Sequence, residues 1–305
     1  MPIHSFDILL DCLADTKRRP RIAAVCPYDE STQTALLRAL ERRIADLVLV
    51  GDAAHIASLN TLQTYGDRVC LYPATTADEA AAAAVRLVRQ GEADILMKGL
   101  LNTDTLLHAI LDKELGLLPR GRVLTHVSVA ELPGWRRLLF FSDVAVIPQP
   151  TLDQRRAIID YGVTVCRTFG IEQPRVALLH YSEKVNEKCP LTLDYRELVR
   201  RAEADEWGNT IVDGPIDLRC ALDETSERVK GIDSPLGGRA DFLHFPDLEA
   251  GNLFYKTLPF LCGARVAGML AGTQCPVVLS SRSDNADDKF LSLAVALFVA
   301  SHQHT

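Results

Sequence analysis

Ile22-Ala23-Ala24-Val25, an amphipathic stretch over residues 31–44, and then Leu47-Val48-Leu49-Val50 set a pattern that the rest of the chain repeats. A strand-length run without charge leads into helical periodicity and then into a second such run. Further charge-free runs are Ile95-Leu96-Met97, Val176-Ala177-Leu178-Leu179, Phe242-Leu243-His244-Phe245 and Pro276-Val277-Val278-Leu279. Amphipathic patterns cover 77–89, 153–169 and 247–261. Strands with no polar face, separated by helices, predict an α/β protein with mostly parallel sheets covered on both sides. Ligands of such sheets bind beyond the carboxyl ends of the strands, so the loops that follow them carry the functional reading.

The 305 residues are 48% hydrophobic and 24% charged, with a net charge of −7, and they hold enough apolar sequence for two domains or one large one. Two prolines in Pro148-Gln149-Pro150 break the pattern before a capped helix near Thr151. That break predicts one domain of residues 1–147 plus 271–305 and another of 148–270. There is no basic tract suited to a nucleic-acid backbone. An anionic ligand would therefore be held by local positive groups and backbone N–H donors. Eight scattered cysteines without a Cys-x-x-Cys pair read as buried small hydrophobes in a reducing compartment. The opening residues lack a signal-peptide pattern, and no apolar run reaches the roughly 20 residues a bilayer needs. The expectation is a cytoplasmic protein with no membrane and no nucleic-acid partner.

Six segments carry candidate chemistry. Ile211-Val212-Asp213-Gly214-Pro215-Ile216-Asp217 ends a strand, and capping is the commoner role for Asp217. The loop Lys230-Gly231-Ile232-Asp233-Ser234-Pro235-Leu236-Gly237-Gly238 offers backbone N–H groups, and Ser234, to a phosphate. In Phe245-Pro246-Asp247-Leu248-Glu249-Ala250-Gly251-Asn252 the acidic residues complement a helix start, and Gly251 inside that helix predicts a close approach. Leu279-Ser280-Ser281-Arg282 delivers hydroxyls and a guanidinium to a strand end, with Asp284, Asp287 and Asp288 before the next helix. A cap and a solvated arginine explain those residues equally well; so does an oxyanion stabiliser beside a carboxylate base. Lys98-Gly99 ends another strand, where a phosphate would gather positive charge, and Thr103 is expected to cap the next helix. In Leu124-Thr125-His126-Val127-Ser128, a strand would turn Thr125 and Val127 to one face and His126 and Ser128 to the other.

In order and spacing, Met97-Lys98-Gly99, Leu124-Thr125-His126-Val127, Val212-Asp213-Gly214-Pro215, Phe245-Pro246-Asp247 through Asn252, and Leu279-Ser280-Ser281-Arg282 resemble the phosphate acetyl/butyryltransferase family. The resemblance runs over about residues 94–300 and is strongest to the butyryl branch. It implies a two-domain fold of the isocitrate/isopropylmalate dehydrogenase-like type, with an interdomain cleft and a homodimer or higher homo-oligomer. It implies a reaction too: a coenzyme A thiol attacks a short-chain acyl phosphate directly, releasing inorganic phosphate. Coenzyme A is then a substrate, and no tightly bound cofactor or metal is implied.

Carried over by residue, the resemblance makes Ser281 and Arg282 the pair that steadies the carbonyl oxygen and phosphate. Asp288, seven residues beyond Ser281, becomes the base, with Asp284 and Asp287 as alternatives. Lys98, Thr103, Thr125, His126, Ser128, Ser234 and Asn252 are the implied substrate and phosphate contacts. A free thiol with a pKa near about 8.5 needs such a base at neutral pH. Three other readings use the same fold: a phosphate acetyltransferase, a non-catalytic acyl-CoA-sensing module, and a metal- and nicotinamide-dependent dehydrogenase. The dehydrogenase needs clustered aspartates that Asp247 and Asp284 do not supply.

Overall fold

The computed structural model describes residues 2–15, 18–281 and 284–303. Among them the strands are β1 (Arg21–Val25), β2 (Asp46–Gly51), β3 (Val69–Pro73), β4 (Ile95–Lys98), β5 (Thr125–Glu131), β6 (Leu138–Ser142), β7 (Arg175–Leu179), β8 (Ile211–Ile216), β9 (Phe242–His244), β10 (Arg265–Ala271) and β11 (Val277–Val278). The α-helices are α1 (Phe6–Ala14), α2 (Glu30–Glu41), α3 (Ala53–Ala57), α4 (Asn60–Gln63), α5 (Ala77–Arg89), α6 (Thr103–Leu111), α7 (Leu152–Thr168), α8 (Pro190–Glu203), α9 (Leu218–Leu222), α10 (Glu224–Lys230), α11 (Leu248–Cys262) and α12 (Ala286–Gln303). They fall into two units, one of Phe6–Leu124 with Val266–Thr305, the other of Met1–Ser5 with Thr125–Arg265. No helix among the described residues is long and apolar enough to cross a membrane.

The first unit orders its strands β3-β2-β1-β4-β11-β10. Neighbours run parallel except β10, which is antiparallel to β11. From Ile22 to Val25 and from Leu47 to Gly51 every side chain is buried, because helices cover both faces. Helix α5 packs against β1, β2 and α6 and buries Ala80, Ala81, Ala83 and Ala84, small residues that permit close approach. Helix α12 packs on α1 and α2 and is buried from Lys289 to Ala300, on all sides rather than along one stripe. Fully burying each of Phe290, Leu293 and Leu297 contributes about 1.5–3 kcal/mol, so α12 is held firmly in place. Strand β3, absent from the sequence reading, is an edge strand ending in proline, with Cys70, Leu71 and Pro73 exposed.

The second unit orders its strands β5-β6-β9-β7-β8, with only β5 antiparallel to its neighbour. Helix α7 starts with a capping box between Thr151 and Gln154. Its Gly162 lies flat on Phe242 of β9, where a Cβ would collide with the ring. Both units are thus α/β with mostly parallel strands, as the pattern of charge-free runs predicts. The boundaries differ from the proline-based expectation of 147/148 and 270/271. Strand β6 pairs with β9 and carries β5 with it, so residues 125–147 belong with the second unit. Pro148-Gln149-Pro150 only links β6 to α7, and a proline break marks a change of element rather than of domain.

Candidate functional site

In the first unit the carboxyl ends of β1, β4 and β11 collect most of the expected catalytic residues. Strand β1 is followed by Cys26, a non-glycine residue with φ of 49°, a backbone conformation that side chains disfavour. Its carbonyl accepts the N–H of Tyr28 at 2.8 Å and that of Leu100 at 2.7 Å. A Cβ on Gly99 would collide with this carbonyl, so the chain can pass from Lys98 into the next loop only through glycine. Lys98, last in β4, is 2% exposed, and its Nζ donates to the Gly99 carbonyl at 3.3 Å. The parallel register of β4 and β11 brings the next turn alongside, where Ser280 Oγ donates to the Lys98 carbonyl at 3.4 Å.

Ser281 follows on the surface, its N–H donating to Asp284 Oδ2 at 2.7 Å. Arg282 lies outside the described residues. Asn285 Oδ1 accepts the Asp288 N–H at 2.9 Å and so caps α12. Asp287 is exposed and ion-paired with Arg38. Asp288 is half-buried; burial first, then the Asp284 and Asp287 charges, push its carboxyl up to about 6. Next to it, Lys289 is 3% exposed and turns away to the start of α2. There its Nζ donates to Asp29 Oδ1 at 2.7 Å and Thr32 Oγ1 at 3.0 Å. Burial would raise the Asp29 carboxyl, but the Lys289 ammonium and the Ser31 and Thr32 donors outweigh it and hold the group well below the usual range. The net result is a raised Asp288 carboxyl among acidic neighbours, while the adjacent Lys289 ammonium is committed to Asp29. Thr103 is exposed at the first position of α6, and the N-cap expected of it belongs to Asn102.

In the second unit the start of β5 meets the end of β6. Thr125 Oγ1 lies 3.0 Å from Ser142 Oγ and donates to Asp143 Oδ2 at 2.9 Å. The Asp143 carboxylate also accepts the N–H groups of Ala145, Val146 and Ile147 at 2.9–3.1 Å, fixing the turn after β6. Asn252 Nδ2 donates to the Val144 carbonyl at 2.9 Å. Gly251 presses on the Asp143 carbonyl so closely that a Cβ would collide with it, which is the close approach the sequence predicts. His126 Nδ1 lies 3.1 Å from Ser128 Oγ on the same strand face, and burial pushes the imidazole down to about 4 against the pull of Asp143.

Thr125, His126 and Ser128, expected as phosphate contacts, are therefore buried, and the imidazole is neutral near pH 7. Thr125 braces the turn whose Val144 carbonyl accepts from Asn252. Ser234 stands apart from this group. Its Oγ donates to Asp213 Oδ2 at 2.5 Å on edge strand β8, in a loop that Arg175 holds through the Pro235 and Leu236 carbonyls. Asp217 and Asp247 cap α9 and α11. Glu183, Asp217 and Cys220 converge, but the Lys230 ammonium binds both carboxylates. Sequence reading missed Cys26, Ser142, Asp143 and Asp29. The signal for Ser142-Asp143 was present, since a hydroxyl and a carboxylate follow directly on Leu138-Leu139-Phe140-Phe141.

Residues 72–297 match the family model described as phosphate acetyl/butaryl transferase. The phosphate butyryltransferase of Clostridium acetobutylicum is 37% identical over 291 residues, 94% of this chain and 96% of that protein. The phosphate acetyltransferase of Rhizobium meliloti is 35% identical, over 91% of this chain and 88% of its own length. Among solved structures, a branched-chain phosphotransacylase from Enterococcus faecalis superposes with a TM-score of 0.82 at 29% identity, over 92% of this chain and 99% of that one.

Proposed function

We propose, from the premise that the chain belongs to the phosphate acetyl/butaryl transferase family, that it exchanges phosphate and coenzyme A on a butyryl-type short acyl group. The observation that carries the mechanism is the Asp288 carboxyl, half-buried, flanked by two further aspartates and raised to about 6. A base poised near the working pH combines the ionised state with useful proton affinity. In this reading Asp288 takes the proton of the coenzyme A thiol as the sulfur bonds to the acyl carbon. The carbon–oxygen bond to phosphate then breaks, and phosphate leaves as the anion. Ser281 and Arg282 steady the carbonyl oxygen and the departing phosphate. The buried Lys98 ammonium supplies positive field at the neighbouring strand end. No acyl-enzyme intervenes, because both substrates are held together.

Relatives named for butyryl and branched-chain substrates support the chain length. One methylene is worth only about 1–3 kcal/mol of discrimination, so the preference is to be read as a ratio of rates. Phosphate-dependent thiol release from straight-chain and branched acyl-CoA esters of two to six carbons tests it. An optimum at four or five carbons is expected, and an optimum at acetyl overturns the chain-length assignment. Leu253, Phe260 and Leu261 stand exposed on α11, Phe260 at 86%. These apolar residues support assembly into a homo-oligomer. Light scattering should give a multiple of the 33.6 kDa chain mass, reduced by Phe260→Glu; a wild-type monomer overturns this.

A further inference from the structure

In the second unit one cysteine is paired with a histidine. Cys189 occupies the N-cap position of α8, a helix of 14 residues, and its side chain makes no capping bond. Its Sγ lies 3.8 Å from His180 Nε2. The ring is held from its other nitrogen: Nδ1 is 2.9 Å from the Ser182 carbonyl oxygen and 3.1 Å from the Ser182 N–H. With the proton on Nδ1, Nε2 turns its lone pair to the thiol; with the proton on Nε2, the ring donates to the sulfur. Either tautomer couples imidazole and sulfur.

The loop that carries the cysteine is pinned. Cys189 N–H donates to the Asn186 carbonyl at 2.8 Å, and the buried Thr192 hydroxyl bonds the carbonyls of both Asn186 and Cys189. His180 and Leu191 line a mostly apolar cavity of about 680 Å³ that also takes in Tyr181, Leu218 and Phe254. The other cysteines differ. Cys26, Cys166, Cys220 and Cys275 are buried, and burial raises each thiol. Cys12, Cys70 and Cys262 are exposed on the surface. Cys189 combines partial exposure, an imidazole within reach and a helix N-terminus that favours negative charge in an attacking group.

We propose that the Cys189–His180 pair is a thiol-modification site that forms mixed disulfides with small uncharged disulfides. The thiol proton passes to His180 Nε2 as Cys189 Sγ bonds to one sulfur of the incoming disulfide. That S–S bond breaks, and the other half leaves as a thiolate that takes up the proton. The Cys189 sulfur is oxidised and the leaving half is reduced. The neighbouring apolar cavity favours an uncharged partner.

The test treats the intact protein with less than one equivalent of 4,4′-dithiodipyridine and maps the modified cysteine by peptide mass spectrometry. Cys189 should react at least roughly tenfold faster than exposed Cys12, Cys70 and Cys262, and His180→Gln should remove most of that advantage while leaving the other three rates unchanged. Cys189→Ser should abolish the fast phase of thiopyridone release, which keeps the test open if His180→Gln does not fold. Equal or slower reaction at Cys189, or a rate indifferent to His180→Gln, overturns the proposal.

Discussion

If Asp288 is the base, the pH profile of catalysis is set by its surroundings. Its carboxyl titrates at about 6 because burial and the charges of Asp284 and Asp287 oppose ionisation. At about pH 5 only about one-eleventh of the molecules hold it ionised, so kcat/KM falls about tenfold from its plateau; an ordinary carboxyl near about 3.9 would give almost no loss. Asp284→Asn removes the larger of the two repulsive charges and keeps an oxygen that can accept the Ser281 N–H. The acid limb should then move to lower pH and activity near pH 5 should rise. Asp287→Asn should move it less, since Arg38 already partners that charge. The sign carries over to stability. A carboxyl whose folded pKa is raised penalises the fold above that pKa and is neutral below its unfolded value. Asp288→Asn should therefore not lower Tm at neutral pH. The assay is kcat/KM by thiol release at constant ionic strength across the acid range. A wild-type limb near pH 4, or one that Asp284→Asn leaves in place, refutes the reasoning.

The buried Lys289–Asp29 pair predicts an asymmetry between its two truncations. Asp29→Ala strips a buried ammonium of its carboxylate and α2 of its cap, and should cost about 3–5 kcal/mol in urea unfolding. Lys289→Met leaves Asp29 with the Ser31 hydroxyl and the Thr32 N–H and hydroxyl, and should cost only about 1–3 kcal/mol. Equal or reversed losses would contradict the geometry. Gly251→Ala should lower stability by about 1–3 kcal/mol and disturb the Asn252–Val144 bond, because its Cβ meets the rigid Asp143 carbonyl. A calorimetric Tm unchanged from wild type would argue against that close approach.

How much of this was legible in the sequence follows from what each signal depends on. Charge-free runs such as Leu47-Val48-Leu49-Val50 mark strands enclosed on both faces, and β1, β2, β4, β7, β9 and β11 were all found that way. Strand β3 gave no such signal because an edge strand with exposed side chains need not be apolar. The domain boundary was misread because strand pairing is non-local: β6 joins β9 across about a hundred residues, and nothing near Pro148 encodes that. Gly251 was legible because a glycine inside a helix is costly without a reason. The burial of Thr125, His126 and Ser128 was not, since a hydroxyl or imidazole on a strand reads alike whether it meets a ligand or Asp143. Asp29 was invisible for a related reason: its partner Lys289 lies 260 positions away.

The most direct measurement is phosphate-dependent release of coenzyme A thiol from butyryl-CoA by wild type and by Asp288→Asn at neutral pH. The account predicts turnover by the wild type and a fall of at least about 10²-fold in the variant, with folding intact. Wild-type kcat/KM in Asp288→Asn, or no phosphate-dependent release from any short acyl-CoA, would contradict it.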